Sequence, residues 1–247
     1  MFKSPLLQSC ARGRFSIAYT LILFTLVLSF VTRLALYFSV TDKEISAADF
    51  TGMFAIGFLY DLLIGSLLIS PIILHLVFQN DFIYQRSAFR FILPAALLVI
   101  LLLVFTKIIP KDFSPELFMG LIAYLCIRLV IYIVLYIRPL KSRIAWRKGI
   151  LWFSITLTVF ALLLNAVSEW FFWNEFSSRY NFIAVDYLVY TSEVLGNIWE
   201  SYPMGLVLTG LLASCIALIY LFRHHVINSV VVPMPAMRRF RHLFVLL

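Results

Sequence analysis

Residues 16–39 read SIAYTLILFTLVLSFVTRLALYFS, in which Arg33 is the one charged side chain. A membrane-spanning helix takes about 20 predominantly apolar residues. The core of a secretory signal peptide takes only about 7–15 residues, and no small-x-small cleavage site follows this stretch. We therefore expect residues 16–39 to remain in the protein as a membrane-spanning helix.

The whole chain has the composition of a membrane protein. Of its 247 residues, 63% are hydrophobic and 13% are charged, and the mean hydropathy is +0.99. A soluble domain is about 45–50% apolar and about 25% charged. This composition excludes a self-contained soluble enzyme.

Five further apolar stretches, bounded by charged residues, Pro or Gly, are long enough to cross a bilayer. We predict an all-α polytopic membrane helix bundle that forms one transmembrane domain over residues 1–247. Its six predicted spans are residues 16–39, 53–78, 91–109, 117–137, 150–172 and 204–222.

Lys and Arg gather in alternate connecting segments, as they do in the cytoplasmic loops of membrane proteins. The N-terminal segment, the connections after the second and fourth spans, and the C-terminal tail hold fourteen of the 20 Lys and Arg residues. The other connections hold most of the acidic residues. We therefore place both termini in the cytoplasm. Because topology accounts for the net charge of +8, we expect no nucleic-acid partner.

The basic run Arg238-Arg239-Phe240-Arg241-His242 precedes five apolar residues at the end of the chain. Basic residues before an apolar run are typical of a span that leaves the cytoplasm. We therefore predict that a truncated seventh span begins at residue 243. The alternative is a hydrophobic tail without a further span.

Four ionisable residues within the predicted spans, Arg33, Asp61, Arg128 and Glu169, are candidates for function, because a charge in hydrocarbon costs at least about 2.5–3.5 kcal/mol. Arg33 and Asp61 are expected at similar depths in adjacent helices, where they can pair. Such a pair is either a structural clamp between helices or part of a site. Arg128 lies near the middle of the fourth span, and Asp61 is its one candidate partner at that depth.

Residues 174–201 predict an amphipathic helix on the extracytoplasmic membrane surface, with a carboxylate-rich side opposite a side of Leu and Trp. The candidates for a lipid-interface or domain-docking surface are Glu169, Trp173, Glu175, Arg179, Asp186, Glu193 and Glu200. The alternative is a helix that only packs a loop against the membrane.

Motifs for catalysis and metal binding are lacking in the sequence. It contains no G-x-x-x-x-G-K-S/T, G-x-G-x-x-G, H-E-x-x-H or G-x-S-x-G pattern. The four histidines do not have the spacing of a metal site, and the three cysteines stand far apart. We therefore predict no catalytic residue, metal or cofactor in this chain.

The blocks EWFFWNEF (169–176), RYNFIAVDYL (179–188) and NIWESYP (197–203) carry a resemblance to a known family. The chain resembles the membrane domain of lipoteichoic acid synthase-like phosphoglycerol transferases of the sulfatase and alkaline phosphatase superfamily, in particular their Gram-negative branch. A looser match covers Arg33, the stretch 57–61 and Pro71. The predicted spans 91–109 and 117–137 exceed the usual membrane domain of the family.

The resemblance implies a bacterial cytoplasmic (inner) membrane protein whose membrane domain precedes an extracytoplasmic catalytic domain. In that domain a metal-activated Thr attacks a lipid-linked phosphoglycerol. This chain then is a catalytically inert membrane-anchoring and lipid-interface domain, with the divalent metal in the missing catalytic domain. Its expected partners are membrane lipids, including anionic phospholipid headgroups, and an extracytoplasmic catalytic domain or subunit.

Two other functions remain open at this stage. One is a self-contained six-helix membrane transport or binding protein, whose pathway residues are Arg33, Asp61 and Arg128. The other is a scaffold whose outer helix recruits a separate catalytic subunit.

Overall fold

The computed structural model describes residues 13–40, 46–78, 82–106, 114–181, 184, 191–231 and 234–247, and in this part of the chain all regular secondary structure is helical. The predicted all-α class is confirmed. The helices are α1 Ser16–Ser39, α2 Ala47–Phe78, α3 Arg86–Phe105, α4 Pro115–Ile137, α5 Leu140–Phe176, α6 Thr191–Ser201, α7 Met204–Val231 and α8 Ala236–Leu246, with a short 3-10 turn at Phe82–Tyr84.

Six of these helices, α1 to α5 and α7, are long and apolar enough to cross a membrane. They match the six predicted spans in order, but three extend well beyond the predicted bounds. Helix α2 begins at Ala47 instead of residue 53, because Ser46 accepts a hydrogen bond from the Asp49 amide and so caps the helix. Backbone hydrogen bonds continue past the apolar stretch, so hydropathy underestimates helix length.

The basic stretch 138–149, predicted as a loop, is mostly the start of α5. Arg138 precedes a proline and is extended, so α4 ends there and α5 begins two residues later. Arg143 turns back to α4, where its Nε donates to the Leu135 carbonyl at 2.8 Å and its Nη2 donates to the Tyr136 carbonyl at 2.9 Å. The Arg143 side chain therefore caps the C-terminus of α4 by donating hydrogen bonds to two carbonyl groups of its last turn.

The segment 174–201 is not one continuous amphipathic helix. Helix α5 ends at Phe176, Ser177 has a φ of 50°, and the chain is not helical from there through Asn181. A left-handed residue of this kind terminates a helix. Among the described residues of this segment, Thr191–Ser201 forms a separate helix, α6. Arg179 therefore does not share a helical face with the acidic residues of α6.

The chain divides into two compact units. Unit 1 contains Met1–Val77 and Lys148–Leu247, and unit 2 contains Phe78–Arg147. In unit 2 the Tyr132 hydroxyl donates to the Ile83 carbonyl at 2.7 Å, and the rings of Phe89 and Tyr136 stack at 3.8 Å between centroids. In unit 2, tyrosine side chains of α4 thus contact both the 3-10 turn and α3.

The core of unit 1 lies toward one end of its helices. It combines the first half of α1, the second half of α2, the middle of α5, two positions in α7 and the last residue of α8. Leu21, Ile73 and Ile155 are fully buried there. Branched aliphatic side chains interdigitate closely, which makes this end of the unit the tightly packed one.

Helix α8 begins at Ala236, seven residues before the predicted start of a seventh span, and includes the basic run. Arg239 is buried, and its Nη1 donates to the Val77 carbonyl at 2.8 Å. The His242 ring stacks on Phe15 at 4.9 Å, and its Nδ1 lies 2.9 Å from the Tyr19 hydroxyl. The basic run is therefore partly a packing surface, a role that its charge pattern does not predict.

His242 makes the stability of unit 1 depend on pH. Burial, and secondarily the charge of Arg241, lowers the pKa of His242 below its usual value of 6.5. The unfolded chain then binds more protons than the folded chain as the pH falls below 6.5. We expect stability to fall from pH 7.5 to pH 5.5, by at most about 1.4 kcal/mol per pH unit for one group.

Thermal unfolding in detergent at a series of pH values measures this effect. The His242→Phe variant keeps a ring against Phe15 and should show a clearly smaller pH dependence. His224→Phe, at an exposed position, is the matched control and should keep most of the native pH dependence, since it removes only the charge that, after burial, lowers the pKa of His225. Equal pH profiles for all three proteins would contradict the assignment to His242.

A second prediction concerns the core of unit 1. Ile155→Ala removes a fully buried side chain from α5, whereas Leu157→Ala truncates an exposed one two residues later. Because lipid is as apolar as the core, moving the side chain between them contributes little free energy. The cost of Ile155→Ala therefore arises from the cavity and the lost packing, and we expect it to lower the free energy of unfolding by about 2 kcal/mol. Unfolding by denaturing detergent should give this loss for Ile155→Ala and a much smaller one for Leu157→Ala.

Candidate functional site

Arg33 of α1 and Asp61 of α2 form an ion pair in unit 1. The Arg33 Nη2 donates to the Asp61 Oδ2 at 2.7 Å, and the two side chains are 5% and 15% exposed. Gly57 lies one turn before Asp61, and a Cβ there would overlap the Arg33 guanidinium. The glycine therefore provides the space in which the guanidinium crosses α2 to reach the carboxylate.

Aromatic rings surround the approach to this pair. The Arg33 guanidinium lies 5.8 Å from the centroid of the Phe54 ring, at a distance typical of a cation–π contact. Phe54 also contacts Phe30 and Phe50, and Phe50 contacts Tyr37. The Arg33 guanidinium thus contacts both the Asp61 carboxylate and one ring of an aromatic cluster.

A second ion pair joins α5 to the turn that follows it. Glu169 is buried near the end of α5, and its Oε1 accepts a hydrogen bond from the Nε of the half-exposed Arg179. The positive φ of Ser177 turns the chain after Phe176. This change of direction brings Arg179 back over the last turns of α5, where a continuing helix would carry it away.

Tyr180 reinforces the same turn. Its hydroxyl donates to the Ser168 Oγ at 2.6 Å. Burial raises the pKa of Tyr180 above 10, the charge of Glu169 raises it further, and the hydrogen bond to Ser168 opposes both effects. Tyr180 therefore keeps its proton at neutral pH and acts as a hydrogen-bond donor.

Both pairs border one cleft of about 370 Å³. Its walls come from α1, α2, α5 and the turn after α5. The lining residues are Thr25, Ser29, Tyr60, Asp61, Ile64, Leu68, Leu162, Asn165, Glu169, Arg179 and Tyr180.

The cleft is polar toward one end and apolar toward the other. Asp61 and Leu68 are seven residues apart on α2, and Glu169 and Leu162 are seven residues apart on α5, which is about 10 Å along each helix axis. The two helices run in opposite directions through the spans. The carboxylates therefore lie toward one end, and the leucines lie toward the other.

The described lining of this cleft includes Asp61, Glu169 and Arg179 from the predicted site residues. Arg128 is exposed in α4 of unit 2, and Asp61, its one candidate partner, pairs with Arg33 instead. Glu175 and Glu200 are exposed, and Trp173 is half-buried. Glu193 belongs to α6, and Asp186 lies outside the described residues. Of the surface candidates whose side chains the structure describes, Glu169 and Arg179 lie together at the cleft.

Several cleft residues were not predicted. Tyr60, Asn165 and Tyr180 contribute polar groups that composition does not single out. One sequence signal was present, since Asn165 and Glu169 are four residues apart and therefore share a face of an otherwise apolar helix. Which helix lies opposite that face is a tertiary property.

No cluster of three or more His, Cys, Asp or Glu residues suited to a metal ion occurs among the described residues. The sequence matches no protein-family model, no curated protein and no solved structure. The cleft and its two ion pairs are therefore the basis for assigning a function.

The Arg33–Asp61 pair is expected to be strongly coupled energetically. Arg33→Met leaves the Asp61 carboxylate without its cation in an apolar environment, which we expect to cost about 3 kcal/mol. Arg33→Met combined with Asp61→Leu removes both charges and should be less destabilising than Arg33→Met alone. Unfolding by denaturing detergent measures the stability of Arg33→Met, of Asp61→Leu and of the double variant. If the single effects simply add in the double variant, the two residues are not coupled.

Proposed function

We propose that this chain is the membrane-anchoring and lipid-interface domain of a lipoteichoic acid synthase-like phosphoglycerol transferase of a bacterial inner membrane, and that the cleft in unit 1 binds its lipid. The observation that carries the proposal is the division of the cleft into a polar and an apolar end between membrane-spanning helices. A lipid has the same division over a similar length.

The polar end offers both donors and acceptors to a headgroup. The Arg179 guanidinium is half-exposed and has N–H groups beyond the one that contacts Glu169, so it suits a phosphate oxygen. The Tyr60 hydroxyl and the Asn165 amide suit the hydroxyls of a glycerol-type headgroup. Because each carboxylate has an arginine partner, the wall carries little net charge to repel a phosphate.

The apolar end suits the start of an acyl chain. Ile64 and Leu68 on α2 face the same cleft as Leu162 on α5. The tightly packed core lies toward this end of the helices, so the cleft closes where packing improves. A lipid in this position would hold its headgroup near the turn that contains Arg179.

In this proposal, the chain binds the lipid and orients its headgroup. A headgroup held near Arg179 and Tyr180 would be presented beyond the end of α5, where an extracytoplasmic catalytic domain or subunit could reach it. The divalent metal and the nucleophile of the family belong to that domain. The described residues offer no metal-ligand set, so no step of the transfer is placed on this chain.

The orientation in the membrane is part of the proposal and rests on charge. The segments at the packed end of unit 1 carry Arg14, Arg223, Arg238, Arg239 and Arg241. An excess of Lys and Arg favours the cytoplasmic side. The polar end of the cleft would therefore open toward the outer leaflet, and both termini would be cytoplasmic.

A lipid-retention experiment tests the proposal. Leu162→Trp places a large ring in the cleft, and Leu157→Trp places the same ring on an exposed position of the same helix. We expect the Leu162→Trp protein to retain a fluorescent phosphatidylglycerol in detergent at least tenfold more weakly, about 1.4 kcal/mol. The Leu157→Trp protein should bind it as the native chain does.

Two outcomes would contradict the proposal. Equal binding by both Trp variants would mean that the lipid does not occupy the cleft. If reconstituted protein transports a polar solute, and Arg33→Met abolishes transport while phosphatidylglycerol binding is unchanged, the alternative of a self-contained transport protein is supported.

A further inference from the structure

Helix α8 presents three distinct faces. At 100° per residue, Arg239, His242, Leu243 and Leu246 fall together on the face that packs against unit 1. Met237, Phe240 and Phe244 fall on a second face, the apolar strip, within about 60° of one another. Arg238, Arg241 and Val245 form a third face, the basic strip, within a similar angle.

The packed face fixes α8 beside the ends of two membrane-spanning helices. Phe15 is the residue immediately before α1, and Val77 is the penultimate residue of α2. Arg239 donates to the Val77 carbonyl, and His242 stacks on Phe15. Both contacts lie where an apolar span ends. Helix α8 therefore lies at the ends of two helices that are long and apolar enough to cross a membrane.

The apolar strip is open. Met237 is 84% exposed and Phe244 is 83% exposed, and Phe240 between them is also exposed. Three large apolar side chains on one face are costly in water, because burial of each such side chain is worth a substantial free energy. Their position at the end of the spans supplies a natural cover, since the lipid boundary begins there.

The basic strip lies next to the apolar strip and is also exposed. This order, with large apolar residues on one face and Arg on the neighbouring one, is typical of helices that lie at a membrane interface. Arginine pairs well with phosphate, and anionic phospholipid headgroups are concentrated at that depth.

We propose that α8 is a membrane-interface element whose apolar strip enters the acyl boundary and whose Arg238 and Arg241 bind the phosphates of anionic phospholipids. The occupant is the bilayer itself. The exposed apolar residues and the arginines follow one another around a helix that the span ends hold at the membrane surface. This inference does not depend on what the cleft binds.

Spin labelling of the full chain in nanodiscs tests the apolar strip. The label is attached to Met237→Cys or Phe244→Cys after Cys10, Cys126 and Cys215 have been replaced by Ala. Phe153→Cys, at an exposed position within the α5 span, is the reference for a lipid-facing label. We expect both α8 labels to be several-fold more accessible to oxygen than to a water-soluble nickel complex.

Two results would overturn the assignment. Labels that are more accessible to the nickel complex than to oxygen would place the strip in water. Labels that are immobile and shielded from both reagents would show that a protein, either a second copy or another partner, covers the strip. Loss of the native fold is recognised separately, because the thermal unfolding of each labelled protein in detergent would then differ from that of the native chain.

The basic strip is tested by lipid charge. In the labelled Phe244→Cys protein with both arginines present, replacing phosphatidylcholine by a mixture with phosphatidylglycerol should raise the ratio of oxygen to nickel accessibility at position 244 by about twofold. Arg238→Gln with Arg241→Gln should abolish this change. Arg86→Gln with Arg90→Gln removes the same charge from exposed positions of α3 and should leave it intact. An unchanged response in the first pair would overturn the role of the arginines.

Discussion

A buried charge in a hydrocarbon environment needs a partner, because water is not there to solvate it. This constraint organises the part of unit 1 that departs from simple apolar packing. Asp61 and Glu169 are the two carboxylates that border the cleft, and each one has an arginine as its partner. In both cases the partner lies on another segment of the chain. The pairs therefore decide which helices and turns come together, in addition to neutralising charge.

Each pair depends on a local feature of the backbone. Gly57 leaves space for the guanidinium of Arg33 to cross α2, and the left-handed Ser177 turns the chain so that Arg179 returns to Glu169. Both are positions where a common choice, a larger side chain or a continuing helix, would separate the charges. The geometry of the polar end is thus built from one small residue and one turn.

Packing in unit 1 changes along the helices, and this gradient defines the cleft. At one end, branched aliphatic residues of α1, α2 and α5 fill the space between the helices. Toward the other end, the helices present Tyr, Asn and paired charges, which do not interdigitate in the same way, and a cleft of about 370 Å³ remains. A site for an amphiphilic ligand is consistent with this gradient. The packed end is also where α8 contacts the bundle, so the two proposed lipid contacts lie toward opposite ends of the same unit.

The sequence by itself determined the helical class, the number and order of the apolar helices and the positions of the intramembrane charges. These are local properties, since hydropathy and charge are read one segment at a time. Pairing of Arg33 with Asp61 was also accessible, because both depths follow from helix rise. The bounds of the helices were harder to predict from the sequence. Helix α5 starts ten residues before the predicted span, because a helix needs backbone hydrogen bonds rather than apolar side chains. Only the tertiary structure decided that Glu169 meets Arg179, that four segments enclose one cleft, and that Arg239 and His242 pack inward. Those outcomes depend on the left-handed backbone conformation of Ser177 and on contacts between residues more than a hundred positions apart. No local sequence pattern specifies either of them.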